Sequence, residues 1–165
     1  VAGRVAIPIP NFKAIFGIIM IAGIAFGPES GFLVGAISAL ASNFFYSQGP
    51  YTPWQMMAYG AGGMLAGFVF ARGRLPRKPV IMGIFGFLAV TFFVGPLLDT
   101  CSVFLVMSRI TLKGAMAFYI SGFPVNLRQA VATAIVLLVL GKPLLEKLDR
   151  IKTKYGILDD GGKEA

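Results

Sequence analysis

The chain has 165 residues, 56% hydrophobic and 13% charged, with a mean hydropathy of +0.78 and a formal net charge of +8. A soluble domain carries roughly 25% charged residues, so this composition cannot cover a globule in water without apolar patches beyond the few hundred Å² normally tolerated. It predicts a polytopic, all-α membrane protein, and with one cysteine and no histidine it excludes an internal disulfide framework and histidine-based metal or acid–base sites.

In chain order, Val1–Ile9 reads as the end of a hydrophobic segment, so the sequence is expected to begin partway through a first helix. Phe12–Phe26 is the first complete span, short against the ~20 residues that cross a 30 Å hydrocarbon layer; thinning of the bilayer or shielding by neighbours would accommodate it. Gly27-Pro28-Glu29-Ser30-Gly31 is a turn signal. Gly31–Phe45 is the next span and ends in Asn43, Tyr46, Ser47 and Gln48 before Gly49-Pro50. Thr52-Pro53-Trp54 opens another helix, with Thr52 as cap and Pro53 where its missing N–H costs nothing. That helix runs to Ala71 and stops at the basic turn Arg72–Lys78. Pro79–Leu98 follows. Asp99–Gly122 mixes Asp99, Arg109 and Lys113 with apolar residues and is expected to continue the helix, then form a long re-entrant or surface loop. Pro124–Leu140 is the last span. Gly141-Lys142-Pro143 is expected to bend it into an amphipathic segment, Leu144–Tyr155, with apolar residues at helical spacing. Residues 1–156 thus form the membrane domain and 157–165 a polar tail.

This makes five complete helices and a truncated first one. The charge distribution gives the orientation. One cluster is Arg72, Arg74, Arg77 and Lys78; the other is Lys142, Lys147, Arg150, Lys152 and Lys154. Both fall on one side of a six-helix topology with both termini cytoplasmic, as positive-inside asymmetry requires. Juxtamembrane charge of this kind engages anionic lipid, and nucleic-acid binding is not expected. The other side gathers residues 8–12, 46–53 and most of 99–123.

On that outer side lie Asn11, Asn43, Gln48, Gln55, Asp99 and Asn126, with Trp54, Tyr46 and Tyr119 nearby. Amides donate and accept hydrogen bonds, and a largely apolar pocket with a few oriented polar groups is the usual small-molecule site. The plain alternative is interfacial anchoring and helix capping. Asp99 at membrane depth would face a cavity or a partner such as Arg109, Lys113 or Arg128, whereas beyond the hydrocarbon edge it is loop chemistry. Small residues recur at four-residue spacing in Ala2/Ala6, Gly35/Ala39, Gly62/Ala66 and Gly63/Gly67, which suits close helix packing or docking onto a membrane partner. No zinc-protease motif or phosphate-cradling loop with Lys-Ser/Thr is present, and no catalytic set or cofactor is expected.

The runs Pro8-Ile-Pro-Asn-Phe-Lys13, Gly27-Pro-Glu-Ser-Gly-Phe-Leu-Val-Gly35, Ser42-Asn-Phe-Phe45 and Gln48-Gly-Pro-Tyr-Thr-Pro-Trp-Gln-Met56 resemble substrate-binding S components of energy-coupling factor (ECF) vitamin transporters. The likeness extends from Val1 to about Gly156 and weakens through Thr91–Phe123. It implies a six-helix subunit of a bacterial plasma membrane, non-catalytic, binding a vitamin-like compound near the outer helix ends. It also implies partners: a transmembrane coupling subunit and two cytoplasmic ATPases. The outer Pro8–Lys13 and Thr52–Met56 segments resemble the subgroup for cobalamin-type vitamins or their precursors. The implied pocket is Asn11, Asn43, Gln48, Trp54, Gln55, Asp99 and Asn126. The implied docking face is Ala2 and Ala6, with Ala36 and position 40, here Leu40, as a weaker counterpart. Two other classes stay open: a scaffold membrane protein without a ligand, and a self-contained secondary carrier, for which two repeated halves with broken helices would be the sign.

Overall fold

The computed structural model describes residues 15–46 and 48–156, and these are helical throughout apart from short connections. The helices are α1 (Ile15–Phe26), α2 (Pro28–Tyr46), α3 (Thr52–Ala66, prolonged by a π-helical turn, Gly67–Ala71), α4 (Pro79–Val106, with a π-helical turn at Val90–Val94) and α5 (Leu112–Tyr155). The chain is a membrane helical bundle. α4 and α5 are long and apolar enough to cross a bilayer by length and composition, and α1 is a shorter apolar helix. Residues 1–14, with the expected first helix, Ala2 and Ala6 and the expected site residue Asn11, and residues 157–165 lie outside the described residues.

α1 shows how a short apolar helix is accommodated. At 1.5 Å per residue its 12 residues rise only ~18 Å, but it is sheathed by α2, α3 and α5, and most of its residues are buried. Its Phe16 packs on Tyr59 of α3 with ring centroids 4.6 Å apart. Shielding by neighbours, rather than direct lipid contact, covers it. The lipid-facing surface comes instead from outward side chains such as Phe44, Phe45, Phe92 and Leu112.

The glycines of α1, α2 and α3 let the backbones cross closely. A Cβ on Gly31 would stand 2.7 Å from the Cα of Gly23 and 2.7 Å from the carbonyl carbon of Gly63. Any side chain there must push two helices apart. Gly63 and Gly67 therefore serve packing within the bundle, as close-approach faces do where lipid supplies no hydrophobic drive.

Two expectations are corrected. The helix continues past Leu98 as expected, but no long loop follows it before residue 122. α4 continues to Val106, a five-residue connection follows, and α5 starts at Leu112, capped by Thr111, whose side chain accepts from the Gly114 N–H at 3.3 Å. Nor does the last helix start at Pro124: α5 runs 44 residues through both Pro124 and Pro143. Both prolines lie on exposed positions, where the carbonyl each leaves unpaired has space to find another partner. α5 ends at Gly156, which takes the left-handed conformation at φ 57°.

The helix directions sort the connections into two ends. The turn at Gly27, packed against Gly67, shares one end with the basic turn 72–78. That end also holds the basic stretch of α5, tied by Arg77–Asp149 at 3.6 Å. The start of α1, the 46–52 connection and the 107–111 connection share the other.

Candidate functional site

At this second end, α2 and α3 are joined by a polar knot. Asn43, on the last turn of α2 and only 2% exposed, donates from Nδ2 to Thr52 Oγ1 at 3.2 Å and to Gln55 Oε1 at 3.0 Å. Thr52 Oγ1 also accepts from the Gly49 N–H at 3.3 Å and donates to Gln48 Oε1 at 3.1 Å. A hydroxyl with one donor and two acceptor sites is thereby filled. Satisfied buried networks of this kind fix geometry. Here they fix the first turn of α3.

Trp54 braces α3 against α4. Its indole Nε1 donates to the Leu97 carbonyl at 2.6 Å, and its ring lies 6.0 Å from that of Phe104. α4 is tied to α5 by Asn126 Nδ2 donating to Asp99 Oδ2 at 2.6 Å, and by the Thr100 and Tyr119 hydroxyls at 2.6 Å. Gly122 makes the first tie fit, since a Cβ there would stand 2.7 Å from the Asp99 carboxyl carbon. Gly95 does the same for Asn126, 2.6 Å from its Cγ.

Between these braces α3 and α4 part, leaving a cavity of about 430 Å³. α3 contributes Tyr51, Gln55 and Tyr59, at i, i+4 and i+8, with Pro50 at its lip. α4 contributes Leu98, Cys101, Ser102 and Leu105, at i, i+3, i+4 and i+7, and then Val106. Both spacings define a single helix face. The gap exists because small Cys101 and Ser102 stand opposite two tyrosines. No lining residue is an acid, a lysine or an arginine. Gln55 Oε1 is held by Asn43, and its Nε2 donates to no described group, so amide donors are available to the cavity. Ser102 Oγ donates back to the Leu98 carbonyl at 3.4 Å, which keeps its lone pairs as acceptors.

Of the residues expected to bind substrate, Gln55 alone lines this cavity. Asn43 and Gln48 hold Gln55 and the α3 start in place. Trp54 braces its flank. Asp99 and Asn126 pair with each other across α4 and α5, and Asn11 lies outside the described residues. Ala36 is buried at 8% exposure and Leu40 half-buried. Sequence reasoning missed the α4 wall. Its signal was the 98, 101, 102, 105 spacing on the continuation of that helix, overlooked because these are ordinary residues among conspicuous polar ones.

An amphipathic cavity at one end of a helical membrane bundle, with basic turns at the other, is the form of a solute-binding membrane subunit. The family model for the ECF-type riboflavin transporter S component matches residues 1–146. The chain belongs to that family. No curated protein and no solved structure matches it. As an ECF S component it is a membrane vitamin transporter subunit, of a family of substrate-binding transport subunits.

Proposed function

We propose that this S component binds a neutral, flavin-sized vitamin in the α3–α4 cavity and passes it across the membrane under the drive of partner ATPases. The observation that carries this reading is the cavity itself: about 430 Å³, walled by two tyrosines and aliphatic side chains, with amide and hydroxyl groups and no ionised residue. A cleft of this volume, open on one side, admits a compact aromatic head. The fused three-ring head of a flavin is of that kind, and its polar chain would leave through the open side. A complete corrinoid is several times larger. Of the cobalamin-type compounds, a precursor of the benzimidazole kind could enter but is smaller than that three-ring head, so the flavin reading leads.

The family description supports the same substrate. Tyr51 and Tyr59 would stack on the ring, with Gln55 and Ser102 meeting its carbonyl and imide edge. Asn43, Gln48, Trp54, Asp99 and Asn126 would act by positioning. The basic end would face the cytoplasm, following the positive-inside bias, and the cavity would open outward. Ala2 and Ala6 would meet the coupling subunit, with Leu40 as a weaker counterpart, whereas Ala36 is taken up by packing within the bundle. Coupling would work by differential affinity: the ATPase-driven state must bind the vitamin less tightly than the outward state.

The test is equilibrium binding to the purified chain, followed by uptake in cells with and without a coupling module. Saturable flavin binding with module-dependent uptake supports the reading. A folded chain that binds no vitamin on the panel would instead favour a scaffold, and uptake without any module a self-contained carrier.

A further inference from the structure

At the end away from the cavity, the turn 72–78 and α5 enclose a groove of about 320 Å³. Arg77, Lys78, Lys142, Glu146 and Asp149 supply its charges. Arg77 is taken by Asp149, whereas Lys78 and Lys142 form no ion pair among the described residues. Lys78 is also the N-cap of α4 and places no side-chain acceptor on the first N–H groups of the helix, so these add to the local preference for an anion.

Immediately along the same two helices runs an apolar crevice of about 270 Å³. Gly83, where a Cβ would stand 2.9 Å from Leu138 Cγ, lets Leu138 pack at its floor, and Val80, Ile84 and Leu88 form its exposed α4 edge. The crevice and groove are continuous in the chain. Val80 follows Lys78 by two residues, and Leu138 precedes Lys142 by one helical turn. From Val80 to Leu88 the crevice runs ~12 Å along the helix axis.

A small anion has no use for the apolar run, and an acidic peptide would leave backbone polar groups unpaired along it. An acidic headgroup attached to a hydrocarbon chain matches both parts. We propose that this groove and crevice bind one anionic phospholipid, its phosphate on Lys78 and Lys142 and an acyl chain between α4 and α5. Basic pockets between membrane helices are known headgroup sites.

Native mass spectrometry and thermal unfolding of the full chain in neutral detergent test this, with phosphatidylglycerol, phosphatidylcholine and inorganic phosphate as probes. One retained phosphatidylglycerol and a raised midpoint are expected, with phosphatidylcholine and phosphate without effect. Lys78→Gln and Lys142→Gln should each weaken retention about fivefold. Ala134→Phe, which fills the crevice without changing charge, should also weaken it. Should that variant not fold, Ile84→Ser on the exposed edge replaces it. Equal retention of phosphatidylcholine, competition by inorganic phosphate, or indifference to either class of variant would overturn the proposal. So would a coupling subunit whose binding needs Lys78 and Lys142 while the lipid has no effect.

Discussion

Gln55→Leu separates the two tasks assigned to this side chain. Leucine keeps roughly the volume but removes Oε1, which accepts from Asn43 at 3.0 Å, and Nε2, which offers donors to the cavity. Asn43 keeps one Nδ2 hydrogen on Thr52 Oγ1 at 3.2 Å, but the other loses its acceptor. The loss of stability should therefore be that of one buried donor left unpaired, about 1–3 kcal/mol. The ligand fares alike, because a carbonyl buried against leucine stays unpaired, which also costs about 1–3 kcal/mol. With 1.4 kcal/mol per decade, Kd should rise about tenfold and at most about a hundredfold. Flavin fluorescence quenching gives Kd, and unfolding of the ligand-free protein gives stability. A Kd unchanged within a factor of about two in a folded variant would refute contact between Gln55 and the ligand. Loss of more than about 3 kcal/mol of ligand-free stability would refute the sharing of Asn43 between Thr52 and Gln55.

Ser102→Phe should fill much of the cavity and abolish binding while the bundle stays folded, as size-exclusion chromatography and helical circular dichroism can establish. Asp99→Ala removes the acceptor of Asn126, which is 5% exposed. It should cost about 1–3 kcal/mol in unfolding free energy and shift Kd less than Gln55→Leu does. Gly31→Val should prevent stable folding, because its side chain meets the backbones of Gly23 and Gly63; a native-like melting curve would show that those helices can separate.

The sequence read well where composition and punctuation act locally. Gly27-Pro28 and Pro53 mark helix starts through backbone chemistry that no tertiary contact overrides, and the paired basic clusters fall at one end as charge asymmetry required. It read poorly where a local signal was ambiguous. Asp99 and the charges at Arg109 and Lys113 looked like a loop. In the bundle Asp99 has a partner in Asn126, and the real break is confined to the five residues before Leu112. Pro124 read as a helix start, because a proline's missing N–H costs nothing there, yet α5 already begins at Leu112 and runs through both Pro124 and Pro143. The candidate site suffered from a different ambiguity. Asn43, Gln48 and Asp99 were conspicuous as polar residues near a membrane edge, but polar groups buried in a bundle first satisfy one another. The cavity wall is made by ordinary residues, Leu98, Cys101 and Leu105, whose significance depends on what α3 places opposite them.

The central claim is that the α3–α4 cavity binds a compact neutral vitamin. Titration of the purified chain with riboflavin, a benzimidazole precursor and a complete corrinoid, each alongside Ser102→Phe, tests it most directly. The account predicts saturable one-to-one binding of riboflavin, lost in the variant, and none of the complete corrinoid. Corrinoid binding that survives Ser102→Phe, with riboflavin inert, would contradict it.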